Sequence, residues 1–164
     1  MFRNAIRALL AASALFIGTW IHAQGIVVIG HAGVKRLDAP TVVKVYTGRA
    51  IEIDGAAVTV VNAPVGSSVR ARFLQSCLRQ DEEKYTAHWT VRRYIGKGAA
   101  PKELARTSEI VGFVSSTPGA IGYLDESEVS PGANILLRCG LPVAQSPIMY
   151  LYELLAIQFD RLIR

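Results

Sequence analysis

The chain predicts an α/β domain of three layers, a sheet with helices on both faces, and three observations carry that expectation. Short continuous apolar runs at residues 25–29 (GIVVI) and 57–61 (AVTVV) read as strands buried on both sides. Segments with apolar residues at helical spacing separate these runs. The 164 residues are 51% apolar and 19% charged, which excludes a disordered tail, and two cysteines are too few for a disulfide-built miniprotein. The length suits one domain, 24–140, with a short segment at either end.

Residues 1–23 read as a secretory signal. Arg3 and Arg7 supply the positive start, residues 8–21 (ALLAASALFIGTWI) are uncharged and apolar, and Ala23 is the small residue before the expected cut. A run of 14 is short of the roughly 20 residues that an anchor helix needs. Residue 24 is Gln, so a lipid-modified cysteine is not expected at this junction. Removing the leader takes away two arginines and no acid, which lowers the net charge from +5 to +3. That balance is mild and lacks the basic stripe of a nucleic-acid binder. The expected compartment lies outside the cytoplasm.

The elements follow in order. The first strand, 25–29, ends at Gly30. Asp38, two residues before Pro40, is a helix N-cap candidate; Val42, Val43, Val45 and Tyr46 follow, and Gly48 stops the helix. The β-branched run 57–61 is the second strand. Gly66-Ser67-Ser68 then opens a helix carrying Val69, Phe73, Leu74, Cys77 and Leu78. Asp81, Glu82 and Glu83 suit the positive end of the next helix, along which Tyr85, His88, Trp89, Arg92 and Arg93 run. Gly96, Gly98 and Pro101 break the chain. Ser108-Glu109 begins a helix with Ile110, Val111, Phe113 and Val114 inward, ended by residues 116–119 (STPG). Residues 120–124 (AIGYL) and 134–137 (NILL) are the last strands. Residues 141–164 close the chain as an amphipathic helix, with Ile148, Leu151, Tyr152, Leu155, Phe159 and Leu162 on one stripe. Packing on its own domain and docking on a partner both fit that stripe.

Enzyme templates fail. The chain has no His-Glu-x-x-His, Cys-x-x-Cys, Gly-x-Ser-x-Gly or Walker A run, and the glycines at 25, 30 and 33 have the wrong spacing for a dinucleotide loop. Once the leader is gone only His31 and His88 remain, a poor basis for a metal site. No catalytic residue, cofactor or metal is therefore expected. Cys77 and Cys139 stand 62 positions apart, and a bridge or two buried thiols are both open.

The best chemical candidate is residues 64–70 (PVGSSVR). A strand leads into Gly66, then into two hydroxyls at a helix start, where free N–H groups and the dipole suit an oxyanion. Gly66, Ser67, Ser68 and Arg70 are the candidate ligands, with Arg72 as a second source of charge. The structural alternative is that Ser67 only caps its helix.

Several segments resemble the phosphate-type, type 2 periplasmic substrate-binding proteins. They are residues 45–49 (VYTGR), 58–62 (VTVVN), Gly66-Ser67-Ser68-Val69-Arg70 with Phe73, Trp89 with 94–98 (YIGKG), and above all 117–123 (TPGAIGY). The resemblance implies one lobe of that fold and a non-enzymatic phosphate or oxyanion binder in the periplasm, served by a membrane transporter or receptor. The family's binding loop reads Arg-x-Asp-Gly-Ser-Gly-Thr. Here Gly66 and Ser67 match it, while Ala63, Val65, Ser68 and Val69 replace the arginine, aspartate, second glycine and threonine. Set against that family, the N-terminal segment that builds most of the other lobe is not expected in this chain. The alternative function is a periplasmic interaction module that keeps the lobe and has lost the anion.

Export is testable directly. Intact mass of the protein recovered from the periplasm is expected to show a chain beginning at Gln24; a full-length chain in the membrane fraction would contradict the leader assignment.

Overall fold

Ile26, Val27, Val28 and Ile29 offer no polar face, so the strand they build must be covered on both sides. A computed structural model describes residues 25–140. The expected leader, 1–23, and the expected tail helix, 141–164, lie outside the described residues. Strand β1 (Ile26–Gly30) is buried along its whole length. Helix α1 (Ala39–Tyr46) follows, capped by Asp38, whose carboxylate accepts from the Thr41 N–H at 2.9 Å. A small hairpin, β2 (Glu52–Ile53) and β3 (Ala56–Ala57), precedes β4 (Thr59–Asn62).

Helix α2 (Ser68–Phe73) runs on as a π-helical stretch, Leu74–Leu78, which closes on Arg79 in the left-handed conformation. Helix α3 (Glu82–Tyr94) starts at the cap Asp81, which accepts from the Lys84 N–H at 2.8 Å. Strand β5 (Lys102–Glu103), helix α4 (Thr107–Ser116), strand β6 (Ala120–Asp125), a 3-10 turn (Glu126–Glu128) and strand β7 (Ile135–Cys139) complete the described chain.

Five strands form one sheet in the order β5-β4-β6-β1-β7. β4 runs parallel to β5 and β6, whereas β1 is antiparallel to β6 and β7. Register brings the end of β4, the end of β6 (Asp125), the start of β1 (Ile26) and the end of β7 (Cys139) to one edge of the layer. The expected strands at 25–29, 57–61, 120–124 and 134–137 are all in place within two residues, except that Ala57 belongs to the small hairpin. β2, β3 and β5, two residues each and largely exposed, carry too little pattern to be read from sequence.

The TPGAIGY segment explains how the sheet is covered. Gly119 turns the chain at φ +74, and a Cβ there would sit 2.2 Å from the Ala57 carbonyl oxygen. At Gly122 a Cβ would meet Ile110 Cγ2 at 2.6 Å, so the missing side chain lets α4 lie against the strand. The next residue, Tyr123, points to the opposite face, as strand alternation requires, and stacks on Phe73 of α2 with ring centroids 3.8 Å apart. α2 and α4 thus cover opposite faces, which gives the three-layer α/β arrangement. Tyr46 packs on Phe73 at 4.6 Å, placing three aromatic rings in the centre of that layer.

Cys77 and Cys139 are joined by a disulfide, with Cα atoms 5.3 Å apart. It ties the π-helical stretch to the last strand across 62 positions. Closing a loop of that length removes much denatured-chain freedom. The double substitution Cys77→Ala, Cys139→Ala is expected to lower unfolding stability by about 4 kcal/mol in urea titration. A loss under about 1 kcal/mol would contradict this role.

Candidate functional site

The turn after β4 is built as a helix start. Gly66 adopts φ +83 and is exposed, so its contribution is conformational. Ser67 caps α2: its Oγ accepts from the Arg70 N–H at 3.3 Å and donates to the Pro64 carbonyl at 2.8 Å. A serine hydroxyl has one hydrogen, and here it lies on Pro64. Ser68 is exposed. The Ser68 and Val69 N–H groups fall in the first turn, where a helix supplies no acceptor of its own. Gly66, Ser67 and Ser68 are therefore together at one turn.

Arg70 is elsewhere occupied. Its side chain is 5% exposed and donates through Nε and Nη2 to the two carboxylate oxygens of Glu82, at 2.8 and 2.7 Å. Nη1 donates to Glu103 at 2.7 Å and to the Ala63 carbonyl at 3.1 Å. The guanidinium also lies over the Tyr85 ring, 5.5 Å from its centroid. Burial alone would lower the Arg70 pKa, but the hydrogen bonds to Glu82 and Glu103 outweigh it and hold the charge firmly. Arg70 thus joins α2 to α3, β5 and the end of β4.

Carboxylates accompany three further arginines at this edge. Arg72 pairs with Asp125 at 2.6 Å, and Arg138 pairs with Glu126. Arg106 donates to Glu109 at 2.7 and 3.0 Å, and Glu109 also accepts from the Ala105 N–H at 3.0 Å. Those hydrogen bonds, the one to Arg106 first, hold the Glu109 carboxyl below its ordinary pKa. Four arginines therefore face five carboxylates here. A cavity of about 80 Å³ opens between the starts of α2 and α4, lined by Ala63, Ser67, Val69, Arg106, Thr107 and Ile110 among others.

Beneath the turn the polar groups pair with one another. Tyr123 OH accepts from the Ala63 N–H at 3.0 Å, Asn62 donates to Tyr85 OH at 3.2 Å, and Tyr85 OH donates to the Tyr46 carbonyl at 3.2 Å. Burial raises the pKa of Tyr46, Tyr85 and Tyr123, so all three phenols stay neutral near pH 7. His88 sits away from this edge with Nε2 2.9 Å from the Thr47 carbonyl, to which the ring donates. No group of His, Cys, Asp and Glu suited to a metal ion occurs among the described residues. No helix among them is long and apolar enough to cross a membrane. Glu82 and Glu103 are the site residues that sequence reasoning missed. Glu82 reads as a dipole-favoured acid at a helix start, and Glu103 lies 33 positions from Arg70 with no periodic signal to link them.

No protein-family model matches the chain, and no curated protein matches it. Solved structures do. A putative phosphate ABC transporter substrate-binding protein from Clostridium perfringens, solved with bound phosphate, superposes with a TM-score of 0.54 at 22% identity. An ABC-type phosphate transport receptor from Vibrio cholerae gives 0.53 at 12%, and PstS from Borrelia burgdorferi gives 0.51 at 15%. Each likeness covers 69% of this chain and 44–46% of the other, so the chain spans less than half the length of the structures it resembles. The likeness shows the fold: a three-layer α/β lobe like part of these structures. The structures named are binding proteins and receptors rather than enzymes.

Arg70→Ala is expected to destabilise the fold by about 3 kcal/mol, the low end for breaking a buried ion pair because both carboxylates keep some solvent. Urea unfolding measures it. A variant as stable as the parent would contradict the structural role.

Proposed function

We propose that this chain is an exported, non-enzymatic interaction module: a phosphate-receptor-type lobe that docks on a partner surface and does not cage a phosphate. The observation that carries the reading is Arg70, the one guanidinium of the candidate turn, buried and held by Glu82 and Glu103. A charge-assisted hydrogen bond contributes about 1.5–3 kcal/mol. Without the Arg70 donors and the Ser67 hydrogen, a site forgoes about 5 kcal/mol or more, over three orders of magnitude in Kd. The other arginines at the same edge, Arg72, Arg106 and Arg138, are likewise engaged by carboxylates.

A second reading keeps the oxyanion. It is favoured by the free Ser68 and Val69 N–H groups and the exposed Ser68 hydroxyl, which suit a weakly held phosphate at the start of α2. The membrane transporter or receptor would then be the partner to which the anion is passed.

Isothermal titration with inorganic phosphate separates the two. The interaction reading predicts no heat below millimolar phosphate. Micromolar phosphate binding by the folded protein would overturn it.

A further inference from the structure

Arg70, Arg72, Arg106 and Arg138 at the sheet edge have carboxylate partners, and cations without one lie on another face of the molecule. From Lys84 to Lys97 the chain holds four cations, Lys84, Arg92, Arg93 and Lys97, and no acid, with the exposed Glu83 standing just before them. Most of that stretch is helix α3, which buries Tyr85 and Trp89. Helical geometry then turns Lys84, Ala87, Val91, Tyr94 and Ile95 outward, away from Trp89. Val91 is 58% exposed, Ile95 53% and Tyr94 91%. These are three of the five large apolar residues exposed among the described residues, and they adjoin one another.

An open groove of about 570 Å³ runs beside them, lined by Arg49, Lys84, His88, Val91, Ile95 and Lys97 among others. Arg92 in this groove is held inward: it stacks over Trp89 at 5.4 Å and donates to the Gly48 and Lys97 carbonyls at 2.9 and 2.8 Å. Arg49 and Lys97 are exposed and pair with no carboxylate among the described residues, and Lys84 reaches Asp81 only at 3.9 Å. The groove is thus framed by unneutralised cations and floored by aliphatic side chains.

We infer that this face of α3 is a docking surface for an anionic lipid bilayer, with Tyr94, Val91 and Ile95 entering the headgroup region and Arg49, Lys84 and Lys97 meeting the lipid phosphates. Charge complementarity selects an anionic partner. The shape selects a bilayer: the most exposed ring, Tyr94, projects from the surface, and a projecting amphipathic ring flanked by cations suits a soft interface without a matching pocket. The inference rests on the interaction-module reading and names its partner.

Vesicle co-sedimentation tests it, using the chain as purified after export and vesicles of phosphatidylcholine alone or with one quarter phosphatidylglycerol. The expected result is binding to the anionic vesicles only, weakening steeply from low to high salt. Each cation near the surface is worth about fivefold in partitioning, so Arg49→Glu with Lys97→Glu is expected to reduce binding by about 100-fold or more. Tyr94→Ser is expected to reduce it several-fold with unchanged thermal unfolding, since the ring is almost wholly exposed. Lys35→Glu, outside the groove and paired with Asp54, is the control and is expected to leave binding unchanged. Equal binding to neutral vesicles, no binding to anionic ones, or full binding by the Arg49→Glu, Lys97→Glu protein would overturn the assignment. So would a Tyr94→Ser protein with lowered unfolding temperature, which would mean that another part of the chain covers the patch. A negative vesicle result with silent phosphate titration removes the lipid partner alone, whereas micromolar phosphate binding removes the underlying module reading.

Discussion

One buried guanidinium organises the edge of the sheet where this lobe would meet a ligand. Arg70 projects from a six-residue helix that has little stability of its own and binds it to three other elements through four hydrogen bonds to carboxylates and carbonyl. Glu82 fixes the start of α3, Glu103 fixes a two-residue edge strand, and the Ala63 carbonyl fixes the end of β4. Tyr85 beneath the guanidinium then reaches Asn62 and the Tyr46 backbone, so the same knot reaches the aromatic core. A charge buried this deeply is tolerated only because its partners are complete, and completing them removes it from solution chemistry.

Fold and function separate for that reason. The fold superposes on solved phosphate receptors over 69% of the chain, and that likeness is one of backbone arrangement at 22% identity or less. A binding site depends on a few donors aimed at one point, and those donors are differently used here. Ser67 directs its hydrogen to Pro64, Arg70 meets two carboxylates, and Arg106 meets Glu109. Free positive charge lies instead along α3, where it borders exposed apolar side chains.

Much of the architecture was legible in the sequence because it is encoded locally. Asp38, Ser67 and Asp81 announce helix starts by their own side chains, and each accepts the N–H three residues on. The run at 26–29 shows two-sided burial through composition alone, though not that β1 runs antiparallel to both neighbours. The candidate turn was legible as a place, with Gly66, Ser67 and Ser68 together. The use made of Arg70 was not, since it depends on acids 12 and 33 positions away that only the fold brings near. The pairing of Cys77 with Cys139 likewise needs the π-helical stretch and the end of β7 to meet.

The central claim is that Arg70 serves the fold through Glu82. A double-mutant cycle on Arg70→Met and Glu82→Gln, read by urea unfolding at neutral pH, measures that coupling with the other contacts held common. The expected result is a favourable interaction energy of about 1–3 kcal/mol, as for groups in one buried network. A coupling indistinguishable from zero would contradict it and return Arg70 to the candidate anion site.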